Sequence, residues 1–158
     1  VFRGSLNDVL ERYINASEYY NLDYIVRVCG DSPFVDVESI DAMIEIMAVN
    51  KYDYMCLDSS ATFPGFISEI VDNNILKKVS ELTDVKSDRE HVTKYIRDNM
   101  GKFFAFNYKK ALSGYSQSNV KLTIDYPEDL VLANKIIQKL NLDFKSKVAE
   151  IAQAFSIL

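Results

Sequence analysis

The sequence predicts an α/β domain with a mainly parallel sheet sandwiched by helices, and three observations carry that prediction. Short, β-branched apolar runs alternate with segments whose apolar residues recur at helical spacing, the pattern of βαβ units around a buried sheet. The chain has 158 residues, enough to bury a core of its own as one domain. Hydrophobic residues make up 48% and charged residues 26%, which excludes disorder, collagen-like repeats and a disulfide-stapled miniprotein.

The elements follow in order. Val1 to Gly4 read as a strand already under way. Leu6, Val9, Leu10, Tyr13 and Ile14 share a helical face within residues 5–20, with Ser5 as N-cap and Asp8 three residues on. The following Tyr19-Tyr20 pair reads as packing rather than a base-stacking platform. Residues 23–29 form a short apolar run that stops at Gly30, and read as a buried strand. Ile40, Met43, Ile44 and Met47 then lie on one face of a helix over 37–49, capped by Asp36. Tyr52 to Leu57 is the next strand. After the loop signal Thr62-Phe-Pro-Gly65, Phe66 to Val71 is a further strand. Helices are expected over 73–82 and 89–99, and strands over 103–108 and 120–125, the last two separated by a polar loop at 113–119. Pro127 opens a helix carrying Leu130, Ala133, Ile137 and Leu140. A last amphipathic helix with Phe144, Val148, Ile151 and Phe155 forms a C-terminal extension over 141–158, so the whole chain, 1–158, reads as a single α/β domain.

Charge and ends narrow the function classes. With 18 Lys plus Arg against 23 Asp plus Glu, the net charge is −5. Nucleic-acid backbones demand a positive excess, so no nucleic-acid partner is expected. A local phosphate pocket needs only a few groups and a metal. No apolar run approaches the ~18 residues of a membrane span, and the first residues lack the basic and apolar regions of a signal peptide. Cys29 and Cys56 fall in apolar strand-like segments and read as reduced core residues, consistent with a cytoplasmic protein.

Two acids mark the candidate site, Asp31 and Asp125, because each lies just past the C-terminal end of a predicted strand. Ligands of open α/β sheets bind outside those strand ends. Two carboxylates brought together there repel unless a proton or hard cation lies between them, and Mg²⁺ accepts one or two protein carboxylates plus water and phosphate oxygens. Gly30 would let a ligand approach the backbone closely. Each Asp taken singly reads equally well as a turn or cap residue.

Four segments in order then identify a resemblance: Val1-Phe-Arg-Gly-Ser-Leu-Asn-Asp-Val-Leu-Glu-Arg-Tyr13, Arg27-Val-Cys-Gly-Asp-Ser-Pro33, Asp88-Arg-Glu-His-Val-Thr-Lys-Tyr-Ile96 and Thr123-Ile-Asp-Tyr-Pro-Glu-Asp-Leu130. Together they resemble the cytidylyltransferase family of spore coat polysaccharide biosynthesis proteins, relatives of the synthetases of CMP-activated Kdo and sialic acids. The resemblance implies a nucleotide-diphospho-sugar transferase (GT-A-like) fold. It also implies that a sugar or sugar-acid acceptor attacks the α-phosphorus of CTP and releases pyrophosphate, in surface polysaccharide biosynthesis. Asp31 and Asp125 match the catalytic acids that hold Mg²⁺.

The resemblance adds candidate substrate contacts. Arg3 and Gly4 face the nucleotide side of such folds, although Arg3 reads equally as a surface salt-bridge residue. Arg27, inside an apolar strand, requires a partner, either a neighbouring carboxylate or a substrate phosphate. Arg89, Glu90 and His91 match a segment near the acceptor sugar, and a lone helical His is often merely satisfied. Glu69 matches an acid of the acceptor region, or is a solvated strand-edge acid.

The chain departs from the family pattern at Leu57, Ile67 and Tyr126, where polar or small residues are usual. The family also begins with a strand and a Gly/Arg/Lys loop that cradles the triphosphate, and no such loop exists among the 5 glycines here. The chain therefore reads as N-terminally truncated, with weak or no activity on its own, and a homodimer is the expected way to cover an exposed sheet edge. Two alternatives stand beside this reading. A metal-dependent glycosyltransferase of related fold would show Asp-x-Asp at the strand end. A degenerate, non-catalytic scaffold or dimerisation domain would fit the missing loop.

Overall fold

In the computed structural model, residues 1–58, 65–110, 122–140 and 151 are described. The strands are β1 (Tyr24–Val28), β2 (Tyr54–Leu57), β3 (Ser68–Asp72) and β4 (Ala105–Tyr108). The helices are α1 (Val9–Tyr19), α2 (Val37–Asn50), α3 (Asn73–Leu82), α4 (Lys86–Glu90), α5 (Lys94–Asp98) and α6 (Pro127–Leu140), with a 3₁₀ turn at Met100–Lys102.

The sheet order is β1-β3-β2-β4, and here the expectation of a mainly parallel sheet is corrected. β3 runs antiparallel to both β1 and β2, and only β2 and β4 pair in parallel. β1 and β2 do point the same way, as a βαβ unit joined through α2 requires, but β3 is inserted between them. Apolar patterning reports which residues are buried, not the direction of the neighbouring strand, so the strand itself was legible over 66–71 but its direction and its place between β1 and β2 were not.

Helices cover both faces. On one face Ile25, Val71 and Tyr54 pack with Leu10 of α1, Leu76 and Val79 of α3, and Ile96 of α5. On the other, Met55, Leu57 and Ile70 pack with Met43 and Met47 of α2 and Ala133 and Ile136 of α6. Among the described residues no helix is long and apolar enough to cross a membrane.

Helix starts follow side-chain chemistry. Asp36 caps α2 as expected, its carboxylate accepting from Ser39 N at 3.3 Å. Asp72 caps α3 through Asn74 N at 2.7 Å and Ile75 N at 3.3 Å. For α1 the cap is Asp8, not Ser5: Asp8 accepts from Glu11 N at 2.9 Å, while Ser5 Oγ accepts from Asp8 N at 3.0 Å. Both groups are used, one turn later than the spacing suggested.

Other expectations are corrected. Val1 to Gly4 form no strand. The helix expected over 89–99 is two short helices, broken at Val92, which is fully buried with φ 57°. A β-branched residue in the left-handed region is a costly conformation; on either side of it His91 lines the cavity described below and Thr93 Oγ1 donates to Glu69 Oε1 at 2.8 Å. Residues 122–126 are not a strand, while 120 and 121 lie outside the described residues. They nonetheless dock on the sheet end, because Ile124 N donates to the Asp31 carbonyl at 2.8 Å. Gly65, with φ 100°, packs against the same segment so closely that a Cβ would stand 2.9 Å from the Leu122 carbonyl carbon. The loop at 113–119, Thr62 to Pro64 and all but Ile151 of the last expected helix lie outside the described residues; Ile151 is helical and buried.

Candidate active site

The site begins where the α1/α3/α5 face of the sheet changes character. One cross-strand row on that face consists of Ile25, Val71, Tyr54 and Ala105, all part of the apolar core. Two residues further on, the next row is Arg27, Glu69, Cys56 and Asn107, paired in that order across all four strands. These four floor a cavity of about 510 Å³. Continuing the alternation, Cys29, Ile67 and Asp58 form its walls; His91 and Arg97 close it from the α4–α5 side, and Asp31, Ser32 and Thr123 stand at its strand-end rim. The cavity lies at the carboxyl ends of β1, β2 and β4, where ligands of α/β sheets are expected.

Glu69 is the hub of the floor. It is 1% exposed, on a central strand, not the solvated strand-edge acid of the alternative reading. Oε1 accepts from Tyr54 Oη at 2.5 Å, Thr93 Oγ1 at 2.8 Å and Arg97 Nη1 at 2.7 Å, and Oε2 accepts from Arg27 Nη1 at 2.5 Å. Burial alone pushes this carboxyl up; the Tyr54 hydroxyl, the Arg97 and Arg27 guanidiniums and the Thr93 hydroxyl outweigh it and hold the pKa below the ordinary carboxylate value. Glu69 is thus an anion that orients two cations. Arg27 finds its partner in this carboxylate across the β1–β3 ladder.

Burial, followed by the Glu69 charge, raises the Tyr54 hydroxyl far above its usual range and keeps it a donor. Burial also raises the Cys56 thiol, which donates to Asn107 Oδ1 at 3.1 Å. Cys29 and Cys56 are free thiols, as expected, and both line the cavity at intermediate exposure; Cys56 also packs against the apolar core, as the sequence suggested.

Of the two predicted acids, Asp31 lines the rim and Asp125 does not line the cavity, although the Ile124–Asp31 backbone bond brings their segments side by side. Both residues are exposed. Asp31 Oδ1 accepts from Ser32 Oγ at 3.1 Å and Asp125 Oδ2 from Thr123 Oγ1 at 3.0 Å. No group of three or more His, Cys, Asp or Glu able to hold a metal occurs among the described residues. Hard carboxylate oxygens on adjoining, solvent-facing segments fit an ion that keeps most of its shell for water and phosphate. Gly30 lies between two cavity-lining residues, and a side chain there would meet no atom within 4 Å.

Three expected contacts fall elsewhere. Arg89 does not line the cavity: Nε donates to Asp8 Oδ2 at 2.5 Å and Nη1 to the carbonyls of Ser80 at 3.1 Å and Thr83 at 3.2 Å. It ties the start of α1 to the end of α3, and its charge is spent there. Arg3 is exposed away from the cavity, and Gly4 packs on Arg12, whose Cγ would lie 3.0 Å from a Cβ. Arg97, Tyr54, Thr93, Asp58 and Asn107 were not singled out from the sequence. Alternation along residues 54, 56 and 58 was a usable signal for that strand; Arg97 had none, because it reads as the solvated face of a continuous helix.

The chain is thus an α/β protein with a cavity at strand carboxyl ends, lined by Asp31 at the rim and by the Arg27 and Arg97 guanidiniums deeper in. Comparison with known proteins makes this specific. The chain matches the cytidylyltransferase family over residues 1–152 and belongs to it. It is 36% identical over 148 residues to an uncharacterised protein of Methanocaldococcus jannaschii, covering 92% of this chain and 60% of that protein. It is 33% identical over 140 residues to the spore coat polysaccharide biosynthesis protein SpsF of Bacillus subtilis, covering 88% and 57%. The chain therefore spans about three fifths of the length of these curated relatives. Among solved structures, a cytidylyltransferase from Leptospira borgpetersenii superposes with a TM-score of 0.89 at 30% identity, over 99% of this chain and 66% of that one. A CMP:2-keto-3-deoxy-manno-octonic acid synthetase complexed with CTP shares the fold, with a TM-score of 0.53 at 12% identity over 83% and 68% of the two chains.

Proposed function

We propose that this protein is a nucleotidyltransferase that activates a sugar or sugar acid with CTP and releases pyrophosphate, in the biosynthesis of a surface polysaccharide. The observation that carries the reading is the family match over residues 1–152 together with a cavity at the carboxyl ends of β1, β2 and β4. The spore coat name of the Bacillus relative supports the polysaccharide context.

In this reading Asp31 and Asp125 hold Mg²⁺, which when bound neutralises charge on the α-phosphate and helps place the attacking oxygen. The chain's own residues do the rest. Asp31 and Thr123 orient the nucleotide side at the rim. The floor, held by Glu69, seats the acceptor so that its oxygen lies in line with the phosphorus; positioning of this kind supplies much of the acceleration in phosphoryl transfer. Turnover by these 158 residues alone is proposed to be weak, because the Gly/Arg/Lys loop of the family pattern is not among them. The test is pyrophosphate release from CTP and Mg²⁺ with a panel of sugars and sugar acids, at high protein concentration. Acceptor-dependent release that disappears with EDTA supports the reading. Mg²⁺-independent binding of CTP, or no binding at all, argues for a non-catalytic domain instead.

A further inference from the structure

An apolar side chain stands in the cavity among its ionic groups. Along β3 and the residues leading into it, Phe66, Ser68, Glu69, Ile70 and Val71 are all buried, whereas Ile67 between them is 41% exposed. Alternation explains why the core cannot take it. Phe66 and Ile70 belong to the α2/α6 core, so Ile67 shares the opposite face with Glu69 and lines the cavity. Continued past their last pairs, the β1–β3 and β2–β3 registers set Cys29 on one side of Ile67 and Asp58 on the other. The polar groups nearby are already matched: Asp58 pairs with Lys109 at 3.5 Å, Arg27 with Glu69 at 2.5 Å, and the Cys56 thiol donates to Asn107 at 3.1 Å. What this wall offers a ligand is therefore an isoleucine side chain beside soft, weakly polar thiols. Its backbone is held firmly, because Gly65 is packed tightly on Leu122 and Phe66 is 1% exposed.

We infer that Ile67 is a specificity-determining residue of this site and contacts a methyl group carried by the acceptor, such as the end of an acetamido substituent or the methyl carbon of a deoxy sugar. The inference rests on the cytidylyltransferase reading for the word acceptor, and on the exposure of Ile67 inside the cavity for the methyl. Water lying on isoleucine and thiol surface is weakly held, so an apolar group that displaces it gains affinity. A hydroxyl or charged substituent placed there would exchange its water for a surface that returns no hydrogen bond, which is unfavourable. One methyl or methylene in an apolar contact discriminates by about tenfold or more.

The experiment is a titration of the chain labelled with ¹³C at its isoleucine δ1-methyl groups. N-acetyl-D-glucosamine and D-fucose are the methyl-bearing probes, and N-formyl-D-glucosamine and D-galactose are their counterparts without the methyl. The Ile67 signal should move with at least one methyl-bearing sugar and show a nuclear Overhauser effect to its methyl. That sugar should bind about tenfold more tightly than its counterpart, and the pair that responds tells an acetamido from a deoxy source. Ile67→Asn should abolish the preference and Ile67→Val should keep most of it. Ile67→Ala, which removes contact without adding a polar group, serves as the second variant should Ile67→Asn disturb the amide spectrum. If neither methyl-bearing sugar moves Ile67, if the counterparts bind as tightly, or if Ile67→Ala keeps the preference, the inference is overturned. CTP with Mg²⁺ is added in a parallel titration. CTP binding without a methyl response at Ile67 removes this inference and leaves the family reading standing; a methyl response without CTP binding supports the contact and counts against the nucleotide reading.

Discussion

Replacing Glu69 by Ala should be among the most destabilising single changes in the molecule. The carboxylate is 1% exposed and holds Arg27, Arg97, Tyr54 and Thr93. Its loss strands the Arg27 guanidinium, which is largely enclosed, and leaves the hydroxyls of Tyr54 and Thr93, both 0% exposed, without this acceptor. Removing one partner of a buried ion pair costs about 3–5 kcal/mol. Arg97, being partly exposed, adds little because water takes over its pairing. Against the roughly 5–15 kcal/mol of a typical domain, that is a large share. Glu69→Gln keeps the shape and one acceptor but loses the charge, so about half of that loss is expected. Urea unfolding of the three proteins measures this directly.

The pH dependence sharpens the prediction. The folded-state pKa of Glu69 lies below its unfolded value, so the unfolded chain binds the proton more readily. The stabilisation is complete above the ordinary glutamate value of about 4.3 and is lost as pH falls through the lower folded-state value. The stability gap between wild type and Glu69→Gln should therefore be constant at neutral pH and close under acid conditions. A loss under about 1 kcal/mol for Glu69→Ala, well below the buried-pair cost, or a gap that widens on acidification, would refute the hub role.

Further outcomes follow from the same structure. Asp31→Ala and Asp125→Ala should each lower Mg²⁺-dependent CTP turnover by roughly 10²–10³, the worth of several kcal/mol of metal charge stabilisation, while unfolding midpoints shift little because both residues are exposed; near-normal turnover removes that residue from the metal site. Arg89→Met should cost about 2–3 kcal/mol through its charge-assisted bonds and leave ligand affinity unchanged, as calorimetry of binding and unfolding would show. Asp36→Ala removes the α2 cap and the Lys110 partner, whose Nζ lies 3.0 Å from Asp36 Oδ1, so a loss of about 1–2 kcal/mol is expected in thermal melts.

The sequence announced most elements because capping and periodicity are local. Asp36 before Val37 and Pro127 at the head of α6 needed no tertiary information. Strand direction did not show, since β3 contributes the same apolar alternation whichever way it runs. The break at Val92 was hidden because a valine at positive φ contradicts its own preference. Among cavity-lining residues, Asp31, Arg27, Glu69 and His91 were reachable from strand ends and from the family resemblance. The Arg89–Asp8 pair could not be read from the sequence because the two residues lie 81 positions apart. Arg97 was missed because its carboxylate, on β3, is brought to it only by the fold.

The most direct test maps amide shifts on adding CTP with Mg²⁺ to the labelled protein. Residues 29–32, 58 and 123–125, at the carboxyl ends of the sheet, should move, and removing the metal should abolish the change. Shifts confined to another face of the domain, or unaltered by EDTA, would contradict the assignment of this cavity to nucleotidyl transfer.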